Sequence, residues 1–139
     1  MATEATSRQH SAGPSMPVRA GVGLALGVLV NVGIVAGATS LGVAPGFRPL
    51  TVPPVAFLSA VGAVGAVVVY QGFRRYLDRP DHYFVRVAAV VLVLSFLPDV
   101  GLLLNDPAAT VAGVVVLIVM HVVVAAASVW TLVYWNRTD

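Results

Sequence analysis

Three polar side chains, Asn31, Asp99 and His121, interrupt apolar runs that are otherwise almost featureless, and Ser95 stands one helical turn before Asp99. An aspartate and a histidine in such surroundings suit proton or cation handling, because ionisable groups inside a membrane span usually face the protein interior with a partner. A neutral imidazole can also ligate a metal or a haem iron. One mid-span histidine, however, supplies neither a bis-histidine haem site nor three or four metal ligands. His10 belongs to a polar N-terminal segment and His82 to a basic junction, so no metal or other cofactor is expected. No HExxH helix, P-loop or GxSxG elbow is present. The chain has neither Cys nor Lys, which excludes disulfides, thiol catalysis and Schiff-base chemistry, retinal included. A non-enzymatic protein is expected.

These residues have to be positioned by elements that tolerate lipid. Of 139 residues, 58% are hydrophobic and 10% charged, whereas an ordinary soluble domain is about 25% charged. That balance excludes a water-soluble monomer. Four apolar stretches, about 18–42, 52–76, 83–104 and 108–135, each reach the roughly 20 residues needed to cross a bilayer. Residues 1–17 read as a disordered cytoplasmic tail, being polar and small with two Pro and a Gly, and 136–139 as a short cytoplasmic end. Val-rich runs such as 114–116 favour strands in water, but a span in lipid must satisfy its own backbone, and long unbroken apolar runs do not match alternating barrel strands. The expected fold is all-α, an integral membrane four-helix bundle.

With both termini in the cytoplasm, Arg8, Arg19, Arg74, Arg75, Arg79, Arg86 and Arg137 share that side and only Arg48 faces the other. These arginines mark topology rather than a nucleic-acid stripe, so the expected partner is the lipid of the cell membrane and no nucleic acid. A competing reading takes Ala36-Gly37-Ala38 as a signal-peptide cleavage site. In the first span Gly23, Gly27, Gly33 and Gly37 form two GxxxG pairs on one broad stripe, matched in the second span by Ser59, Gly62, Ala63 and Ala66. Small residues let helices approach closely, so the stripe is expected to pack within the bundle, with homodimerisation through the same glycines as the alternative. Depth along the helices pairs Asn31 with His121 and Asp99 with Ser59. Pro98 is expected to kink the third helix beside Ser95 and Asp99.

The segments Ser95-Phe96-Leu97-Pro98-Asp99 and Met120-His121-Val122-Val123-Val124-Ala125 resemble a family of small prokaryotic four-helix integral membrane proteins without an assigned function. The resemblance extends over about residues 18–135. It implies a four-helix membrane domain and directs attention to Pro98, Asp99 and His121 without giving them roles. The expectation is a multi-pass membrane protein in which Asn31, Ser95, Asp99 and His121 form a stabilising polar set. The alternative is a small transporter or channel component in which Asp99 and His121 exchange a proton.

Overall fold

The computed structural model describes residues 13–135. Of the tail expected over residues 1–17, residues 1–12 lie outside the described residues, as does the end at 136–139. Among the described residues there is no strand. Four helices form, α1 (Met16–Ser40), α2 (Val52–Tyr76), α3 (Pro80–Asn105) and α4 (Val111–Val129), and a π-helical turn over Trp130–Tyr134 continues α4. All four are long and apolar enough to cross a membrane.

Local chemistry accounts for the helix ends. Pro stands in the first turn of α1, α2 and α3, where its fixed φ suits the helix and its missing N–H costs nothing. Hence α1 starts at Met16, before Pro17, and not at Val18. α4 starts later than residue 108 because Thr110 is its N-cap: the hydroxyl accepts from the Gly113 amide at 3.0 Å. Ala108 remains in the turn, donating its N–H to the Asp106 carboxylate at 2.9 Å. α3 runs through Pro98 as one continuous helix.

α1 packs on α2 and α4, α3 packs on α4 and α2, and α2 touches α4 across the middle. One apolar cluster closes the end that carries the α1–α2 link. It joins Val35 and Ala38 to Val55, Leu117 and Met120. The link itself is more than a connector: Phe47 and Leu50 turn inward and are almost wholly buried in this cluster. A second cluster, Tyr70, Phe84, Leu132 and Val133, closes the opposite, basic end. Residues 88–101 of α3 belong to neither cluster.

The glycine stripe divides. A Cβ on Gly23 would lie 2.5 Å from Thr131 Oγ1, and one on Gly27 3.6 Å from Val124 Cγ2. This pair therefore admits α4 rather than α2. Gly62 of α2 faces the same Val124, at 3.3 Å. Gly33 and Gly37 are exposed and have open space around them, because a ten-residue offset turns them about 80° from Gly23 and Gly27 at 3.6 residues per turn. Gly23→Ala is expected to destabilise the protein by about 1–3 kcal/mol, as overpacking does, and Gly33→Ala to leave it unchanged or slightly more stable. Thermal melting of the two variants in detergent distinguishes them.

Candidate functional site

The polar residues lie between the two apolar clusters. On α1 the buried positions recur nearly every fourth residue, Arg19, Gly23, Gly27, Asn31, Val35 and Ala38, so Asn31 points directly into the bundle. Its Nδ2 donates to Ser59 Oγ of α2 at 2.9 Å and to the Met120 carbonyl of α4 at 3.1 Å. Because that carbonyl can only accept, the amide orientation is fixed, and Oδ1 is buried without a donor. The expected Asn31–His121 bond does not form. His121 follows Met120 on α4 and is turned 100° from it, toward α3.

There His121 meets Asp99, with Nδ1 at 3.0 Å from Asp99 Oδ2. Asp99 therefore pairs with His121 and not with Ser59, against the expectation from depth. Counting residues places Cα atoms, with Asp99 six residues from the end of α3 and His121 ten from the start of α4, or about 9 and 15 Å. The Cα–Cβ bonds of a helix lean toward its N-terminus. In an antiparallel hairpin the two side chains consequently lean toward each other and close that difference.

His121 Nδ1 also lies 2.9 Å from the Leu117 carbonyl oxygen one turn back. A carbonyl cannot donate, so Nδ1 carries a hydrogen, and Nε2 makes no hydrogen bond among the described residues. The Nδ1 hydrogen serves the carbonyl, and Asp99 Oδ2, although close, receives no hydrogen bond. Asp99 is 6% exposed, while 39% of the His121 side chain is open, more than was expected of a residue enclosed among helices. Ser95, the fourth expected member, bonds within its own helix, donating to the Leu92 carbonyl at 2.6 Å. Among the described residues no group of three or more metal-ligating side chains forms.

Sequence reasoning placed Arg19 among the topology markers, but it is 7% exposed and acts inside the fold. Its Nε donates to the Thr131 carbonyl at 2.8 Å and its Nη2 to the Leu132 carbonyl. A cation is favourable at the C-terminal end of a helix, where carbonyls run short of partners. Arg19 thus fastens the first turn of α1 to the π-helical end of α4. The signal lay in its register, one turn ahead of Gly23 on the buried stripe. If Arg19 served only as a positive marker, Lys would replace it without loss. The two-point clasp instead predicts that Arg19→Lys destabilises by about 1.5–3 kcal/mol, the range for a hydrogen bond to a charged group, read from the denaturation midpoint in detergent.

No curated protein and no solved structure matches the chain. A model described as a family of unknown function (DUF6069) matches residues 11–138, nearly the whole chain, and the protein belongs to that family.

Proposed function

We propose that this is a non-enzymatic, multi-pass protein of the cell membrane with both termini in the cytoplasm, and that its polar layer, rather than a conduit through the bundle, is its functional feature. The observation behind this reading is a close-packed α1–α2–α4 seam in a fold whose Asp99 is buried and whose His121 is partly open. The space bordered by Gly23, Ala63, Ser128 and Thr131 leaves no room for water. A recess of about 430 Å³ around Gln71, Arg74 and Arg75 lies at the surface of the basic end and includes neither Asp99 nor His121.

Orientation is testable because the chain has no cysteine. A membrane-impermeant maleimide applied to intact cells is expected to label Leu41→Cys and Asn105→Cys, and to label Gln71→Cys only after the membrane is opened. The opposite pattern would invert the topology.

The 3.0 Å Asp99–His121 contact favours a second reading, a transporter or channel component that uses this pair as a proton relay. Vesicles containing the purified protein decide between the two. The proposal expects no proton flux under an imposed pH gradient, with Asp99→Asn and His121→Ala altering thermal stability alone. Flux abolished by both substitutions would favour the relay.

A further inference from the structure

The face of α2 turned away from the bundle changes character along its length. At about 100° per residue, Val64, Val68, Gln71 and Arg75 fall within a sector of about 60°, and all four are exposed. Gly65 and Gly72 stand beside this stripe one heptad apart, each with open space where a Cβ would project. The stripe is an apolar furrow that ends in an amide and, counting Arg74, two guanidinium groups.

These end groups are available to a ligand. Among the described residues Gln71 and Arg74 make no hydrogen bond, no carboxylate pairs with either arginine, and the Arg75 guanidinium lies over the Tyr76 ring at 5.8 Å. Of the two acids nearby in the chain, Asp81 accepts from the Tyr70 hydroxyl at 2.7 Å, and Asp78 pairs with neither arginine. Arg19, by contrast, already gives its donors to the Thr131 and Leu132 carbonyls. The recess bordered by Gln71, Gly72, Arg74 and Arg75 holds about 430 Å³, within the roughly 300–1,000 Å³ of small-molecule sites.

Depth and charge together describe the occupant. Arg74 and Arg75 stand ten and eleven residues beyond Val64, the midpoint of α2, or about 15–17 Å at 1.5 Å per residue. Half of a hydrocarbon core about 30 Å thick is the same length. Val64 and Val68 therefore lie alongside acyl chains while the two guanidinium groups reach the phosphate level, where they accept no competitor as well as a phosphate oxygen. Two positive groups without a carboxylate partner match a headgroup of net negative charge; a zwitterionic headgroup brings its own cation to compete with them.

We propose that the outward face of α2 from Val64 to Arg75 binds one anionic phospholipid, with Arg74 and Arg75 holding its phosphate, Gln71 donating to an ester oxygen and an acyl chain lying in the furrow at Gly65 and Gly72. The site rests on the reading of the chain as membrane-spanning and holds in either orientation.

The test is native mass spectrometry of the full chain in a nonionic detergent, titrated with dioleoyl phosphatidylglycerol. Dioleoyl phosphatidylcholine and glycerol 1-phosphate are the comparators. One phosphatidylglycerol is expected to be retained per chain, at a concentration at least about tenfold below that needed for phosphatidylcholine, a difference of about 1.4 kcal/mol. Glycerol 1-phosphate, which has no acyl chain for the furrow, is not expected to be retained. Replacing both Arg74→Gln and Arg75→Gln is expected to weaken retention about thirtyfold, the factor for two arginines at an anionic surface. Gly72→Leu fills the recess without altering charge and is expected to weaken it at least about fivefold, the factor for one arginine contact, with the melting temperature unchanged. Replacing both Arg79→Gln and Arg86→Gln removes the same charge from the same end, outside the recess, and is expected to change retention less than about threefold, because detached charges act only through screened attraction. Equal retention of the two lipids, or equal losses in the two arginine pairs, would overturn the site and leave a general surface attraction. Glycerol 1-phosphate retained as tightly as the lipid would overturn it in favour of a soluble phosphate. If the Arg74 and Arg75 variant does not fold, the lipid comparison and Gly72→Leu decide. Cysteine labelling reads the topology separately, so loss of this site leaves the topology standing, and an inverted topology leaves the site.

Discussion

A polar side chain in hydrocarbon has no water to turn to, and it must find its hydrogen-bonding partner inside the protein. The short side chains solve this within their own helix: Thr39 donates to the Val35 carbonyl at 2.8 Å, Ser95 to that of Leu92 at 2.6 Å and Thr131 to that of Ala127 at 2.8 Å. Such bonds satisfy the hydroxyl but join nothing. The longer side chains cross between helices and become the joints. Asn31 ties α1 to α2 and α4 at mid-depth, and Arg19 ties the start of α1 to the end of α4. α3 takes part in neither joint, and its middle belongs to neither apolar cluster. The Asp99–His121 pair is therefore the polar link at mid-depth between α3 and the rest of the bundle.

Close packing makes these joints reachable. A guanidinium on α1 reaches main-chain carbonyls of α4 only where the two backbones come near each other. Gly23, one turn beyond Arg19, supplies that approach by leaving its Cβ position to the Thr131 side chain. Thr131 is itself fully buried and bonded to its own helix, so it fills the space without requiring a partner on α1. Glycine, threonine and arginine thus operate as one unit. At mid-depth the arrangement recurs with different residues: Gly27 and Gly62 both face Val124, and one turn beyond Gly27 is Asn31.

Class, helix number and family were legible in the sequence because they follow from quantities summed over many residues. Four apolar stretches of sufficient length can do little else in lipid. Partnerships were not legible, and the reasons are geometric. Matching by depth joined Asp99 to Ser59 and Asn31 to His121, because residue counts locate Cα atoms whereas bonding depends on the lean and rotation of side chains. Asn31 does reach the right depth on α4, but it meets the Met120 carbonyl, which no pattern of side chains discloses. Arg19 was read as a topology marker since the positive-inside pattern cannot separate an arginine at the headgroups from one turned inward. The burial of Phe47 was not legible either, because it depends on left-handed turns at Gly42, Ala44 and Gly46 that carry the link back over the bundle end.

The polar layer departs from the rule that governs everything around it. Asn31 Oδ1 and Asp99 Oδ2 are both buried without a hydrogen bond, and their partner residues on α4, Met120 and His121, are consecutive. Two unsatisfied acceptors in one layer are costly, since a buried acceptor gives up its water bonds and receives nothing in return. Apolar side chains of similar volume at these positions would remove that cost, as replacement of buried polar groups often does. The surrounding helices contain many such residues, so apolar packing is readily available to this fold. Among the described residues these two acceptors are the buried side-chain atoms left without a hydrogen bond, with a partly open histidine beside them, and packing alone does not explain their presence. Local rules are broken chiefly where function requires it. That argument separates this layer from Arg19, whose guanidinium is bonded to the Thr131 and Leu132 carbonyls and holds the fold.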